Sequence, residues 1–296
     1  MHQRIVVIGG ANIDIMATAN HHFYAKDSNP GTVHKAFGGV GRNIAENLAR
    51  LGHDVTFITA LPKSEDGVAL KRALEGLGVF VHAVETSRMP SYVALYHAHG
   101  ELIGAVADMA SLEALDEEAI DRMKRQFAGA TLIIDANLSN GALQAIFRHA
   151  RNVFADAVSA QKALKLKPYL SKIHTLKLNR QEFEMFVKTK DNVLDETSKA
   201  FVKHEGLVQC VLSEGAKGVR LIHASHVYHR VLNHPQIVNV SGAGDALFSG
   251  IIHATLENKD SLLCGLALAS ITLEAAHAVS KNLTRRHLYE RMEALR

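Results

Sequence analysis

The chain has 296 residues, 47% of them hydrophobic and 21% charged, proportions close to the globular average that exclude a disordered or fibrous protein. Its 33 Lys and Arg against 30 Asp and Glu leave a formal charge of +3 without a dense basic block, which argues against nucleic acid as a main partner. Length alone fits two units of about 150 residues or one large α/β domain with a small appendage.

In chain order, Arg4-Ile5-Val6-Val7-Ile8-Gly9-Gly10 is an unbroken apolar run ending in glycines, which predicts a strand buried on both faces near the middle of a parallel sheet. Apolar residues at Ile44, Ala45, Leu48, Ala49 and Leu51 predict a helix over 41–51, closed by Gly52. A strand follows at Val55–Ala60, then a helix near Gly67–Leu77 and a strand at Val79–Val84. The rhythm repeats with a helix near Asp116–Phe127, a strand Thr131–Asp135 and a helix near Ala142–Arg148. It continues through Asn152–Phe154, Lys162–Lys165, Thr175–Leu178, a helix from Gln181 and a strand Val208–Ser213, and ends in two helical patterns after Ala246 and Leu262. Strands alternating with helices predict a mostly parallel sheet covered on both faces.

Two segments, about 14–37 and 89–107, lack helical periodicity, and the second carries a hairpin signature around Gly100. Together they predict a small β layer near the carboxyl ends of the main strands, where ligands bind in open α/β sheets, and so a lid. The apolar run at the N-terminus is too short for a secretory signal, and the stretch 261–273 is interrupted by Glu274 and His277 before it would span a bilayer. A soluble cytoplasmic protein with no membrane association is expected. Cys210 and Cys264 lie far apart and form no zinc or redox motif; both read as reduced core residues.

The strongest chemical signal is Asn239-Val240-Ser241-Gly242-Ala243-Gly244-Asp245 leading into the apolar helical periodicity of Leu247 and Ile251. Gly242, Ala243 and Gly244 allow close backbone approach, and the free N–H groups of a helix's first turn attract an anion such as a transferring phosphoryl group. A carboxylate there would repel phosphate unless it had another task, and accepting a proton from an attacking hydroxyl is such a task. The alternative is that Asp245 caps the helix and the glycines make an ordinary turn. A second signal, Gly38-Gly39-Val40-Gly41-Arg42-Asn43, lacks the spacing of a dinucleotide fingerprint. It reads as a turn that lays a polyhydroxylated ligand against backbone, with Asn43 bonding its hydroxyls, or as a turn with an N-cap.

The Gly38-Gly39 turn with Asn43, and Ser241-Gly242-Ala243-Gly244-Asp245 about two hundred residues later, resemble the two signature motifs of the PfkB (ribokinase-like) family of carbohydrate and nucleoside kinases. The wording Ser28-Asn29-Pro30-Gly31 and Phe37-Gly38-Gly39-Val40-Gly41-Arg42-Asn43 is most similar to its pseudouridine-kinase branch. The resemblance covers essentially the whole chain. It implies one ribokinase-like domain over 1–296: a three-layer sandwich with a mostly parallel sheet flanked by helices, and an inserted β lid.

Residue by residue, the resemblance implies that Asp14 and Asn12, after the first strand, together with Gly39 and Asn43 grip the sugar. Asp245 becomes the general base, and Gly242, Ala243 and Gly244 the anion hole for the phosphoryl group leaving ATP. Asn179 and Glu182 match the family's Asn-x-x-Glu motif, which helps hold Mg²⁺ largely through water, although the same pattern is a common helix start. Ser213, Gly215 and Gly218 fit the nucleotide-side turn, with Ser where Thr is frequent. Asn239 stands where many relatives carry an Asp near a monovalent cation, so dependence on such a cation is left open. The adenine loop falls loosely near Ile271–Asn282. A homodimer through the lid strands is also expected.

Eighteen histidines raise the question of a metal site, but His21-His22 and His97-x-His99 lack a third partner nearby, and His223, His226, His229 and His234 read as a polar surface stretch. His34 and Lys35 fall in the lid segment, and Tyr92 and Tyr96 point the same way in a strand, suiting packing or a dimer contact. The implied reaction is transfer from ATP to the 5′-hydroxyl of a ribosyl compound, pseudouridine foremost. The rivals are another sugar or nucleoside kinase of the family, or a non-catalytic nucleoside-binding regulator. A Rossmann dehydrogenase is disfavoured because Gly9-Gly10-Ala11-Asn12 lacks the spaced glycines.

Overall fold

Apolar runs without a polar face become strands, and the helical stripes between them become the cover of a sheet. The computed structural model describes residues 4–187, 194–233 and 236–296. In chain order its elements begin with β1 (Ile5–Ile8), β2 (Asn12–Ala19), β3 (Gly31–Gly38), α1 (Val40–Arg50), β4 (Val55–Pro62), α2 (Glu65–Glu75) and β5 (Phe80–Thr86). There follow β6 (Ser91–Tyr96), β7 (Leu102–Asp108), α3 (Glu117–Met123), β8 (Thr131–Asp135), α4 (Asn140–His149), β9 (Val153–Asp156), α5 (Ala160–Ala163), β10 (Ile173–Asn179) and α6 (Arg180–Val187). The chain ends with α7 (Leu194–Glu205), β11 (Gln209–Ser213), β12 (Val219–Ile222), β13 (Val227–Arg230), α8 (Ala243–Glu257), α9 (Ser261–Leu273) and α10 (Arg285–Ala294).

The main sheet has nine strands in the order β13-β12-β11-β10-β9-β8-β1-β4-β5. From β5 to β11 every pairing is parallel, and β12 and β13 add an antiparallel edge. Side chains of β1 alternate between the two covers. Val6 and Ile8 join Ile120, Leu143, Ile146 and Phe183 on one face. Ile5 and Val7 join Ile44, Leu48, Leu70, Phe248 and Ile252 on the other. All are buried, each contributing about 1.5–3 kcal/mol of apolar burial. This is the mostly parallel sheet covered by helices on both faces that the motifs led one to expect.

A second sheet, ordered β3-β2-β6-β7, takes its strands from the two aperiodic segments. The pairings β2–β3 and β6–β7 are antiparallel, whereas β2–β6 is parallel. Only Gly9, Gly10 and Ala11 separate β1 from β2, so the second sheet springs from the carboxyl end of β1, an interior strand that lies seventh in the order of nine rather than in the middle.

Several boundaries differ from the sequence reading. The helix expected to reach Phe127 tightens into a 3₁₀ turn at Lys124–Phe127. Lys162–Lys165 lies where α5 runs into a 3₁₀ segment, Leu164–Lys172, which contains Pro168. Helices α7 and α10 and the β12–β13 hairpin escaped notice, because α10 buries only Leu288 and Met292 and the hairpin strands have four residues each. His223 and His226 flank the turn of that hairpin and His229 lies in β13; His234 lies outside the described residues.

Candidate active site

Two helices begin from glycine rather than from a capping side chain. Ser64, Asp116, Ser139, Asp260 and Thr284 cap α2, α3, α4, α9 and α10, while α1 starts at Gly39 and α8 at Gly242, neither with a side-chain cap. Gly39 has φ 102° and Gly242 has φ 77°, a region that disfavours any side chain. A Cβ on Gly242 would also overlap the Ala278 carbonyl.

The two bare helix starts then part company. The α1 start is filled from a distance: Asp135, at the carboxyl end of β8, accepts from the backbone N–H of Gly41 at 2.9 Å and of Gly10 at 2.8 Å. At α8 no side chain among the described residues plays that part, and Asp245 does not cap the helix. Its Oδ2 instead accepts from Asn43 Nδ2 at 2.7 Å. The start of α8 thus lacks a side-chain cap, its Ala243 N–H making only a 3.4 Å bond to the Val240 carbonyl, beside a carboxylate that is 9% exposed.

Behind Asp245 lies a buried charge network. Lys177 Nζ, in the middle of β10, pairs with Asp156 Oδ2, at the end of β9, at 3.0 Å. Burial pushes the Asp245 carboxyl up to about 7; Asp156 adds to the rise, and Lys177 and the Asn43 amide oppose it. Burial pulls the Lys177 ammonium down, but Asp156, Asp245 and Glu182 outweigh it and hold the group above its ordinary value. A Cβ on Gly244 would stand 3.3 Å from Lys177 Nζ, so the ammonium lies directly behind the glycine turn.

Asp14 and Asn12 stand on β2 at the mouth of the second sheet. Asn12 Nδ2 donates to Asp14 Oδ1 at 2.6 Å. Opposite them, Gly38 leaves room for Asp14, since a Cβ there would overlap its carboxylate. Burial raises the Asp14 carboxyl, while Asn12 and the Arg42 guanidinium lower it. Arg42, buried on α1, donates to Asn43 Oδ1 at 2.8 Å and to the Phe37 carbonyl at 3.0 Å, and pairs with Glu46. The structure thus joins Asn43 to Asp245 by a direct bond, and Asp14 and Asp245 both lie within the field of Arg42.

The remaining expected residues line the other side. Asn179 and Glu182 form a reciprocal box: Glu182 accepts from Asn179 N and Nδ2 at 2.7 and 2.8 Å, and Asn179 Oδ1 accepts from Glu182 N at 2.9 Å. Both oxygens of this buried carboxylate already accept a hydrogen bond, so the pair suits a magnesium ion that keeps its water shell rather than one ligated directly. Ser213 and Gly215 line a polar trough with Asn179, Lys217 and Arg220. They also line an adjoining apolar cavity of about 600 Å³ with Gly218, Val219, Ile237, Val240, Leu266, Leu273, Ala243 and Gly244. The α8 turn and the β11–β12 turn therefore share one cavity. Of the Ile271–Asn282 segment only Leu273 lines it; Ala275–Asn282 lies against Ile271 and His287 in a separate hollow. Asn239 Oδ1 accepts from Ser241 N at 2.9 Å, and its Nδ2 donates to the Ala276 carbonyl at 3.2 Å.

Sequence reasoning missed Asp135, Asp156, Lys177 and Arg42. A signal existed for three: Asp135 and Asp156 end apolar strands at the carboxyl edge, where sites form, and Lys177 interrupts the buried run of β10. No helix among the described residues is long and apolar enough to cross a membrane.

Residues 2–285 match the family model described as pfkB family carbohydrate kinase. The pseudouridine kinase of Escherichia coli (strain K12) is 35% identical over 257 residues, spanning 83% of this chain and 82% of that protein. A carbohydrate kinase structure from Agrobacterium tumefaciens is 29% identical, with a TM-score of 0.84 over 98% of this chain and 97% of its own. The ribokinase of Thermotoga maritima shares the fold at 19% identity, with a TM-score of 0.86 over 99% of this chain and 100% of its own.

Proposed function

This chain belongs to the pfkB family of carbohydrate kinases, and from that premise we propose that it transfers the terminal phosphoryl group of ATP to the 5′-hydroxyl of a ribosyl compound, pseudouridine foremost. The observation that carries the reading is the Asp245 carboxylate, bonded to Asn43 and set at the uncapped start of α8. In the proposed step Asp245 accepts the proton of the 5′-hydroxyl as that oxygen bonds to the γ-phosphorus. The bond from γ-phosphorus to the bridging oxygen breaks, and ADP leaves with its electrons. The backbone N–H groups of the Gly242-Ala243-Gly244 turn, that of Ala243 giving up its 3.4 Å bond to the Val240 carbonyl, bind the charge that builds on the transferring group. Lys177, behind Gly244, adds a fixed positive charge. Asp14 and Asn12, with Gly39 and Asn43, orient the sugar.

ATP would lie from the apolar cavity at Val219, Ile237 and Leu273, which suits a purine, to the Ser213–Gly218 turn and the α8 start. Asn179 and Glu182 would hold Mg²⁺ through its waters, and the ion would supply neutralising charge beside the phosphates. The whole of 1–296 acts as one unit in this reading, with the second sheet as a lid that excludes water. Its exposed Val33, Val93, Leu102 and Val106 suit pairing with a second copy. Pseudouridine as acceptor is supported by the 35% identical relative and by the Ser28–Gly31 wording, whose Asn29 closes its loop through reciprocal bonds to Tyr24.

The test is ADP release over pseudouridine, uridine, ribose and fructose, with Asp245→Asn alongside. Preferred turnover of pseudouridine, with a loss of about 10²–10⁴-fold in the variant, is the expected result. Equal turnover by both proteins would remove Asp245 from the mechanism, and preference for another acceptor would move the chain to a different branch.

A further inference from the structure

At the end of α8 remote from Asp245, His53, His253 and Glu257 bring ligand atoms within 4.8 Å of one another. His253 and Glu257 are four residues apart on the helix, so one turn places both on the same face. His53 comes from the link between α1 and β4, 200 residues away from His253 in sequence, and its Nε2 stands 2.7 Å from His253 Nδ1. We propose that these three side chains form a binding site for a zinc-class divalent cation, with His53 Nε2, His253 Nδ1 and a Glu257 carboxylate oxygen as ligands.

The donor set selects the class. Two imidazole nitrogens and one carboxylate suit zinc, cobalt or nickel, whereas magnesium and calcium prefer oxygen alone. Nitrogens sharing a tetrahedral zinc at about 2.0–2.1 Å stand about 3.3 Å apart, so the present 2.7 Å spacing needs only a small rotation of the rings.

The surroundings match what orients metal ligands elsewhere. His253 Nε2, the nitrogen turned away from His53, meets the Tyr289 hydroxyl at 3.1 Å, which holds the ring with Nδ1 toward the cluster. Arg285 Nη2 lies 3.3 Å from Glu257 Oε1, and its Nε donates to the Leu51 carbonyl, anchoring the carboxylate to the end of α1. The last turns of α8 also present the negative end of the helix dipole, which favours a cation. Arg285 and Lys259 act against it and set the limit on affinity.

Asp245 lies roughly 12 Å back along the same helix, so this site is separate from the proposed reaction centre. An ion there would clamp α8, the α1–β4 link and, through Tyr289, α10. A ligand bound only by the folded state raises stability.

The test uses the full chain freed of metal and titrated with Zn²⁺ by calorimetry, with thermal melting alongside and Co²⁺ absorption as a coordination probe. One ion per chain, a tetrahedral Co²⁺ spectrum and a rise in melting temperature are expected. His53→Ala and Glu257→Gln should each weaken binding at least tenfold and abolish the rise, and Tyr289→Phe should weaken it about tenfold. Neither His53 nor Glu257 lies in the reaction machinery, and binding is read without turnover, so the outcome stands apart from the kinase assay. The proposal is overturned if no stoichiometric ion binds, or if Zn²⁺ binds the His53→Ala/Glu257→Gln double variant as tightly as the parent, which would put the ion on other histidines.

Discussion

Asn43 and Asp245 are 202 residues apart in the chain, yet the amide of one donates to the carboxylate of the other at 2.7 Å. The bond ties the first turn of α1 to the first turn of α8, and it stabilises the charged form of an acid that burial and Asp156 push toward neutrality. A carboxyl group whose protonation changes near neutral pH results.

The first prediction concerns pH. Burial, then Asp156, raises the Asp245 carboxyl from 3.8 to about 7, and only the carboxylate can take a proton. The kcat/KM of the free enzyme should therefore fall as pH drops through about 7. Asp156→Asn removes a neighbouring negative charge and should move this limb to lower pH, measured as a full pH–rate profile. The sign for stability is opposite. Between pH 3.8 and about 7 the folded state holds a proton that the unfolded chain has released, so this group's contribution declines as pH rises through that window.

Lys177→Met strands Asp156 as an uncompensated buried charge. A loss of about 3–5 kcal/mol in denaturant unfolding is expected, with part of it restored in Lys177→Met/Asp156→Asn. A double variant no more stable than the single one would show that the ion pair is not the cause.

Asp14→Ala tests the sugar grip. Losing a charge-assisted hydrogen bond of about 1.5–3 kcal/mol should raise KM for the acceptor by about 10- to 100-fold and leave KM for ATP unchanged. A matching rise in both constants would assign Asp14 to the scaffold.

Gly242→Ala imposes a left-handed backbone on a residue with a Cβ, and that Cβ meets the Ala278 carbonyl. Strain of about 1–3 kcal/mol is expected, read as a lower melting temperature together with weaker ATP binding by calorimetry. An unchanged nucleotide affinity would place the anion outside the α8 turn.

Much of the fold was readable in advance because buried parallel strands and amphipathic helices leave periodic signatures, as Ile5–Ile8 and Ile44–Leu48 do. The short hairpin β12–β13 and the polar α10 left none. At the site, Asn43 and Asp245 stood out through the glycines beside them, whereas Lys177, Asp156 and Asp135 are single charged residues whose meaning depends on which strands become neighbours. The β9–β10 pairing sets Asp156 beside Lys177, and that choice is not written in either strand.

Local sequence thus determined the element types, the two glycine turns and the candidate carboxylate, because backbone freedom and hydrophobic period act over a few residues. Tertiary structure decided which helix start a carboxylate fills, Asp135 taking that of α1 and no side chain among the described residues taking that of α8. It also decided how strongly Asp245 holds its proton, and it brought His53 to His253. Electrostatics and ligand geometry depend on distance through space, and strand order, rather than position along the chain, sets that distance.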